Sequence, residues 1–205
     1  MKEIKYIIIL IIFGIFASEL LSFELPNEIV YCKKNDIFID KKYYKVCFDK
    51  KAKGPSKVYY GLDGKVSILN IKKRPSFYGH KEFKVKNPEL YITSKDYKYS
   101  SFQLGHLAND ASFDYSKDVL YSIYDMINIV PQYPSVNRKT WRNTEYRERQ
   151  LTLTYGKILV IINIYYDYSK RLKPDSIAIP KYFIKRIYTY PKKKLLYKDT
   201  VLNIK

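Results

Sequence analysis

Four side chains spaced by four residues could form a single chemical surface on one face of a helix. They are Asn137, Trp141, Glu145 and Arg149. At about 100° per residue, each step of four advances by roughly 40°, so the set would span about 120° of the helix. Amide and carboxylate oxygens bind hard divalent ions such as Mg²⁺, and a guanidinium group binds phosphate. The spacing is therefore compatible with a metal and phosphate site, although a solvated helix face with Glu–Arg pairing explains the same residues.

The chain has two histidines, the side chains best suited to proton transfer near neutral pH. His80 follows Gly79 in a lysine-rich loop and is interpreted as a surface residue. His106 follows Gly105 at the end of the short apolar run FQLGHLA, about thirty residues before the polar helix. This context separates His106 from His80 and, on these grounds alone, leaves its role open.

The elements that must position these residues follow from local patterns. The segment NRKTWRNTEYRERQL predicts a helix, because it lacks Gly and Pro, begins with Asn as a cap and is rich in charge. KILVIINIYYDY predicts a strand buried on both faces, and FQLGHLA and IAIPKYFIKRIY predict two more. Asp63-Gly64 between β-prone runs predicts a hairpin within 58–69. Strands, one central helix and further strands favour an α+β domain.

The net charge indicates the class of partner. Lys and Arg number 38 against 20 Asp and Glu, a net charge of +18. Such an excess favours polyanions, either nucleic acid or an anionic membrane surface. Four of the seven arginines lie between residues 138 and 149, where guanidinium groups could bind phosphate while the lysines supply a general field. A basic surface that only maintains solubility remains an alternative on composition alone.

Residues 1–22 have the pattern of a secretory signal peptide, with Lys2 and Lys5 before an apolar run. The run is shorter than the roughly 20 residues that span a bilayer, and an uncleaved anchor is the alternative. The expected location is therefore secreted or periplasmic, with no stable membrane insertion after cleavage. In an exported chain Cys32 and Cys47 most simply form one disulfide. A metal or redox role is less favoured, because a zinc site usually needs four ligands.

Three further segments have an order and spacing that agree with a family pattern across roughly residues 58–190. FQLGHLANDASF is similar to a segment that usually carries Asp-Arg-Gly-His, and NIVPQYPSVNRKTWRNTE to Asn-x-x-Pro-Gln followed by Asn, Trp and Glu. IAIPKYFIKRI is similar to a later Val-x-Val-Pro-x-x-x-x-Lys strand. Together they resemble the DNA/RNA non-specific endonucleases of the ββα-metal, or His-Me finger, superfamily. The resemblance implies an α+β fold with a ββα-metal finger core and a central, mainly antiparallel β-sheet flanked by helices.

The resemblance also implies a role for each matching side chain. His106 would be the general base that takes a proton from the attacking water, and its imidazole must be neutral to do so. Asn137 would be the protein ligand of a single Mg²⁺ ion, or of Mn²⁺ in its place. Glu145 would steady the hydrated metal, and Arg149 would contact the phosphate as charge develops. The implied catalytic set is His106, Glu145 and Arg149, with Asn137 as the metal ligand.

Five further residues have supporting positions in this interpretation. Asn128 and Gln103 would support the site through hydrogen bonds. Three arginines would bind substrate phosphate: Arg74, Arg138 and Arg142. Trp141 is interpreted as a core anchor behind the helix rather than a base-stacking platform, because Trp buries a large area.

One departure from the family pattern keeps a second function open. Gln103 and Leu104 stand where the family has Asp-Arg. Glutamine can replace hydrogen bonds but not charge, and the loss of one transition-state contact costs about 100- to 1000-fold in rate. The alternative is a non-catalytic nucleic-acid-binding protein on a degenerate nuclease fold. A third interpretation is a basic surface protein bound to anionic lipid or cell wall.

The sequence therefore predicts a secreted non-specific endonuclease that hydrolyses phosphodiester bonds of DNA, RNA or both and binds their backbone. The expected organisation is a signal peptide at 1–22, an N-terminal arm with the disulfide at 23–57, a nuclease domain at 58–190 and a C-terminal tail at 191–205. The prediction requires His106 and Asn137 to face one another across a gap that holds a metal ion and a phosphate.

Overall fold

Two antiparallel sheets organise the chain, which a computed structural model describes over residues 31–66 and 70–205. The described strands are β1 (Ile37–Asp40), β2 (Lys45–Asp49), β3 (Gly54–Asp63), β4 (Gln103–His106), β5 (Ile129–Gln132), β6 (Lys157–Arg171), β7 (Ala178–Thr189) and β8 (Leu195–Leu202). The larger sheet has the order β1-β2-β3-β6-β7-β8, and the smaller sheet pairs β4 with β5. Each of these neighbouring pairs is antiparallel.

Helices fill the connections between the strands. The α-helices in the described ranges are α1 (Lys81–Lys86), α2 (Lys117–Ile123) and α3 (Arg142–Tyr155), and a π-helical turn at Val136–Trp141 precedes the last of them. Short 3₁₀ turns occur at Pro88–Leu90, Ser94–Tyr97, Asp110–Ser112 and Met126–Asn128. The predicted α+β class with an antiparallel central sheet is confirmed.

Strand β6 illustrates why the large sheet forms. Its β-branched residues Ile158, Val160 and Ile162 are fully buried and pair with β3 on one side and β7 on the other. Trp141 is also fully buried and lies 5.1 Å, between ring centroids, from Phe183 of β7. The predicted role of Trp141 as a core anchor is confirmed, and this contact fixes the start of α3 against the sheet.

The N-terminal arm predicted at 23–57 and the C-terminal tail predicted at 191–205 are corrected by the sheet topology, because both contribute strands. Within the first segment β1 and β2 form one edge of the large sheet, and within the second β8 forms the other edge. Both segments join the sheet across short connections, since β2 pairs with the next strand β3 and β8 pairs with the preceding strand β7. They are therefore parts of the domain rather than an arm and a tail. Residues 23–30 of the arm lie outside the described residues.

Two local expectations around turns also differ from the structure. The hairpin predicted around Asp63-Gly64 is wrong, because β3 ends at Asp63 and pairs with β2 and β6, and residues 67–69 lie outside the described ranges. The helix begins before Asn137, whose backbone N–H donates to the Tyr133 carbonyl oxygen at 2.9 Å. Asn137 is therefore not a cap, and its side chain is available to another element.

The predicted disulfide is confirmed. Cys32 and Cys47 are bonded, which ties the chain before β1 to β2. Cys47 packs in a buried cluster with Tyr59 and Leu159. The signal peptide predicted at 1–22 lies outside the described residues. In the part of the chain that the structure describes, no helix has both the length and the apolar character needed to cross a membrane.

Candidate active site

The small sheet and the helical segment after it are joined by hydrogen bonds, two of which involve Trp141 and Asn137. Trp141 Nε1 donates to the backbone oxygen of His106 at 2.9 Å. Asn137 Nδ2 donates to Gln103 Oε1 at 3.0 Å. Gln103 and His106 are the first and last residues of β4. The fold therefore brings the strand that carries His106 against the turn that carries Asn137.

Gly105 makes room for close packing beside His106. A Cβ atom at this position would lie 2.4 Å from the side chain of Gln132, well inside van der Waals contact. Gln132 lies on β5 and is fully buried. The glycine before the histidine therefore has a packing reason, since any larger residue would have to displace the buried Gln132 side chain.

His106 lies in an aromatic, half-buried environment. Its ring centroid is 5.2 Å from Phe77 and 4.7 Å from Tyr124. Nε2 is enclosed and has no hydrogen-bond partner among the described residues, whereas Nδ1 is not enclosed in this way. Burial lowers the pKa of the imidazole to about 4, while nearby Asp110 acts in the opposite direction and Arg74 in the same direction. The ring is therefore neutral at neutral pH, the state that a general base requires.

Arg74 is held near His106 by two carboxylates. Its Nη2 lies 2.6 Å from Asp110 Oδ1 and 2.9 Å from Asp114 Oδ2. Asp110 also accepts a hydrogen bond from the Tyr124 hydroxyl at 2.5 Å. The Arg74 side chain remains 32% exposed, so the guanidinium group is fixed in place yet accessible to an anion from solvent.

Asn137 lies in a π-helical turn rather than in a regular α-helix. Such a turn has i→i+5 hydrogen bonds and contains one more residue than an α-helical turn. The equal 100° steps assumed for the stripe are therefore wrong over this turn, and Asn137 is rotated relative to Glu145 and Arg149. Because Nδ2 is bound to Gln103, Oδ1 is the atom of Asn137 left for a metal ion.

Glu145 and Arg149 lie one turn apart on α3 and are both half-buried. Burial raises the pKa of Glu145 to about 7, although Lys185 and Arg149 act in the opposite direction. Asp110 influences the pKa of Glu145 as well as that of His106. The candidate base and the candidate metal-site carboxylate therefore both feel the charge of Asp110.

A fully buried ion pair, which the sequence analysis does not predict, supports α3. Glu148 Oε2 lies 2.9 Å from Lys185 Nζ and accepts a hydrogen bond from the Tyr60 hydroxyl at 2.8 Å. Its Oε1 accepts hydrogen bonds from Asn109 Nδ2 at 2.6 Å and Ser112 Oγ at 3.0 Å. Both oxygens of the buried carboxylate are thus satisfied, which burial of a charge requires.

Asn109 connects this buried network to Arg149. Its Oδ1 accepts a hydrogen bond from Arg149 Nη1 at 3.4 Å, while its Nδ2 is bound to Glu148. Asn109 lies in the loop that follows β4, only three residues after His106. The network therefore fixes the loop after the candidate base and the guanidinium group of α3 relative to each other.

The sequence signals for the two charged residues of this network differ. Lys185 stands between buried Phe183 and Ile187 in the alternation of β7. A charge at an inward-facing strand position predicts a buried ion pair, because a buried charge needs a partner. Glu148 carries no such signal, because α3 is rich in charge and Glu148 resembles its solvated neighbours.

Replacing Lys185 with methionine is expected to lower the free energy of unfolding by about 3–5 kcal/mol, because Glu148 is left as an uncompensated buried charge. Urea denaturation measures the change. Lys181→Met, at an exposed position of the same strand, is the matched control and should change stability by less than about 0.5 kcal/mol. Equal stabilities for the two variants would show that the buried pair does not hold α3 in place.

The remaining predicted residues occupy three kinds of position. Asn128 is buried and bonds the backbone of Ala108 through both Oδ1 and Nδ2, each at 2.9 Å, so it holds the loop that follows β4. Arg138 is exposed and its Nε donates to Gln103 Oε1 at 3.3 Å. Arg142 is exposed at the start of α3. The phosphate contacts expected of both arginines remain predictions.

Leu104 is packed among apolar residues, and His80 is paired with a buried carboxylate. Leu104 packs in the apolar cluster around Met126, so no polar side chain occupies the place of the family arginine. His80 is half-buried, and its Nδ1 lies 2.7 Å from Asp125 Oδ2. Asp125 is fully buried and also pairs with Lys41 at 2.9 Å. The interpretation of His80 as a free surface residue is therefore wrong.

The donor set fits a hydrated divalent ion held by few protein ligands. Over residues 31–66 and 70–205, no group of three or more His, Cys, Asp and Glu side chains could hold a metal ion by itself. Asn137 has an amide oxygen available, and Glu145 has a half-buried carboxylate that forms no ion pair with a described residue. Mg²⁺ keeps several of its waters and needs only one or two such oxygen ligands. Asn137 and Glu145 are thus the residues that could hold Mg²⁺ or Mn²⁺.

Comparison with known proteins finds relatives across most of the chain. Residues 27–202 match the model of the DNA/RNA non-specific endonuclease family. The chain is 28% identical to the mitochondrial endonuclease G of Bos taurus over 124 residues, which cover 57% of this chain and 38% of that protein. It is 24% identical to the mitochondrial nuclease of Saccharomyces cerevisiae over 190 residues, which cover 85% of this chain and 55% of that protein. The chain thus spans about half or less of the length of these curated relatives.

A solved structure supports the fold. A chain in the crystal structure of the EndoG/EndoGI complex, which addresses the mechanism of EndoG inhibition, superposes with a TM-score of 0.72 at 19% identity. The superposition covers 82% of this chain and 75% of that chain. The predicted ββα-metal architecture is confirmed by this likeness.

The secreted or periplasmic location predicted from residues 1–22 is contradicted by the relatives. The two curated proteins above are mitochondrial, as is the human endonuclease G, which is 35% identical over 68 residues covering 33% of this chain and 23% of that protein. The location prediction is therefore wrong. An apolar run after a basic start indicates affinity for a membrane or a translocation apparatus, and this physical property does not specify the compartment.

Proposed function

The chain belongs to the DNA/RNA non-specific endonuclease family, and we propose that it hydrolyses phosphodiester bonds of DNA, RNA or both, using a divalent metal ion and His106 as the general base. The observation that carries the proposal is the junction of β4 with the π-helical turn. There Trp141 binds the backbone of His106, and Asn137 binds Gln103. Two hydrogen bonds thus tie the candidate base and the candidate metal ligand to one rigid unit.

His106 accepts the proton of the attacking water in this proposal. Its Nδ1 is the ring nitrogen that is not enclosed, so the proton transfers to Nδ1 while Nε2 retains its own. Burial already keeps the ring neutral, because the pKa of His106 is lowered to about 4. Base catalysis of this kind contributes about 10²–10⁴-fold to the rate.

Arg149 and Arg74 both bind the phosphate in this proposal. Arg149 is oriented by Asn109, and Arg74 is oriented by Asp110 and Asp114. Guanidinium groups held in this way meet a phosphate with little loss of side-chain entropy. Backbone contacts of this type carry no sequence information, which suits a non-specific enzyme.

Asn137 and Glu145 hold the divalent ion. When bound, the ion supplies charge stabilisation for the phosphate and the leaving oxygen. Glu145 must be ionised for this role, and burial raises its pKa to about 7. A nearby cation favours the ionised form of a carboxyl group, so the bound ion would lower the pKa of Glu145 and keep this half-buried side chain ionised.

A non-catalytic nucleic-acid-binding protein is the second candidate. Its support is specific: neutral Gln103 and apolar Leu104 stand at the two positions where the family has charge, and Leu104 packs among apolar residues. The net charge of +18 would serve backbone binding with or without catalysis.

Plasmid cleavage with and without metal separates the two candidates. We expect the purified chain to nick supercoiled plasmid in Mg²⁺, to lose this activity in excess EDTA and to regain it when Mg²⁺ is restored. The rate should also fall steeply between about 50 and 200 mM salt, because phosphate contacts release counterions. Tight, salt-sensitive binding without metal-dependent cleavage would instead favour the non-catalytic protein.

A further inference from the structure

An open cleft of about 420 Å³ adjoins the candidate active site and has no role in the chemistry described above. It lies between the segment before α1 and the helix α2, and its lining includes Lys73, Arg74, Lys117 and Tyr121. Only Arg74 among these belongs to the proposed phosphate-binding set. The cleft therefore combines an aromatic side chain with cations that have no assigned function.

Tyr121 forms a flat aromatic shelf in this cleft. Its ring stacks on Tyr78 with centroids 4.4 Å apart and planes inclined by only 6°. Tyr78 is itself fixed by backbone hydrogen bonds to Tyr124 and Met126 at 3.1 and 2.9 Å. The Tyr121 side chain remains 53% exposed, so one face of the ring is supported while much of the side chain is open to a ligand.

The charges around the shelf favour an anionic ligand. Lys73, Arg74 and Lys117 line the cleft against the single carboxylate of Asp118. Lys73 and Lys117 are exposed and form no ion pair with a described residue. A stacking ring beside unpaired cations is the combination that binds single-stranded nucleic acid, whose bases stack while its phosphates are neutralised.

Two contacts connect the cleft to the candidate active site. Arg74 lines the cleft and pairs with Asp110, which influences the pKa of His106. Phe77, the residue before Tyr78, lies 5.2 Å from the His106 ring between centroids. A strand whose phosphate lies at His106 could therefore place a nearby base in the cleft.

We propose that this cleft is a base-stacking subsite, in which an unpaired nucleobase of the substrate lies on Tyr121 while Lys73 and Lys117 contact its flanking phosphates. The inference rests on the proposed function, since it extends the same substrate strand beyond the scissile phosphate. A base within a duplex is covered by its neighbours on both faces. The subsite therefore favours single-stranded or locally unpaired nucleic acid, without regard to base identity.

Binding measurements in EDTA, where metal-dependent cleavage is suppressed, test the subsite. The ligands are a single-stranded oligodeoxythymidine and an oligomer of the same length with abasic sugars throughout. We expect Tyr121→Ala to weaken binding of the first ligand roughly 5- to 150-fold and to leave binding of the abasic ligand unchanged. Tyr121→Phe should match the unmodified protein for both ligands, because it preserves the ring.

A second stacked tyrosine provides the matched control. Tyr165 stacks on Tyr182 at 4.5 Å and 14° and is 38% exposed, and it lies on β6 and does not line the cleft. Tyr165→Ala should leave both affinities unchanged. Thermal denaturation of each variant establishes whether it is folded. If Tyr121→Ala does not fold, the affinities of Tyr121→Phe still test the stacking role.

The possible outcomes separate this inference from the proposed function. No preference for the base-containing ligand in the unmodified protein, or an equal loss of both ligands in Tyr121→Ala, overturns the subsite even if Mg²⁺-dependent nicking is observed. Base-dependent binding through Tyr121 without any nicking supports the subsite and refutes the enzyme. A weaker affinity of Tyr121→Phe for the thymidine ligand also overturns the stacking role.

Discussion

Replacing His106 with alanine is expected to reduce plasmid nicking by about 10²–10⁴-fold, to the background of the assay, while binding of the same DNA in EDTA remains nearly intact. The reason is that His106 supplies the proton acceptor but little of the contact with the phosphate backbone. The lysines and arginines that supply this contact are unchanged. Initial nicking rates and gel-shift affinities, measured on the same preparations, give the two quantities.

The control for this prediction must separate chemistry from packing. His106 lies against Phe77 and Tyr124, so its removal leaves a cavity, and thermal denaturation should accompany the assays. His80→Gln changes the other histidine, which pairs with Asp125 rather than lining the site, and should retain nicking. A parallel loss of nicking and binding in His106→Ala would refute its assignment as the general base.

Replacing Asn137 with alanine is expected to be the second severe change, with a loss of at least about 100-fold in nicking at low millimolar Mg²⁺, since loss of even an outer partner of a metal ligand costs about 10- to 100-fold. The variant removes the amide oxygen proposed as the protein ligand, and part of the rate should return as the Mg²⁺ concentration is raised. DNA binding in EDTA should not change, because Asn137 is uncharged. Titration of the nicking rate with Mg²⁺ measures both effects.

Two further variants make the Asn137 result specific. Asn143→Ala removes an exposed asparagine from the same helical segment and should leave the Mg²⁺ dependence unchanged. Gln103→Leu keeps Asn137 but removes the hydrogen bond that orients its amide group, for which an intermediate loss of about 10- to 100-fold is expected. Unaltered Mg²⁺ dependence in Asn137→Ala would refute the proposal that this residue holds the metal ion.

The Gln103-Leu104 departure has different consequences at its two positions. Gln103 retains a hydrogen-bonding function, because its Oε1 accepts from both Asn137 and Arg138. Leu104 retains none, since it packs against the apolar cluster around Met126. The first substitution therefore preserves the orientation of the proposed metal ligand. The second removes a positive charge that the family has, and Arg74 is a guanidinium group whose charge acts on the pKa of His106.

Local residue patterns were sufficient to predict the strands and the helix whose own residue types favour that structure. The β-branched run of β6 predicts a strand because such side chains pack well on a pleated, buried surface, and residues 158–164 are largely buried as expected. The absence of Gly and Pro predicts a helix over residues 137–151, and α3 at Arg142–Tyr155 covers most of that range. The family resemblance rests on residues within three short segments, and the match over 27–202 bears it out.

Long-range contacts decided what the local pattern could not. The π-helical turn rotates Asn137 relative to Glu145 and Arg149, and no residue type within 136–141 predicts such a turn. Burial of Glu148 depends on Tyr60 and Lys185, from two strands far away in the chain.

The sequence by itself thus determined the class of fold, the basic charge and the residue types of the candidate site, because these depend on composition and short spacings. The tertiary structure alone decided which side chains are neutral, paired or open to solvent. Desolvation and ion pairing arise from groups that only folding brings together, as Asp110 does for both His106 and Glu145.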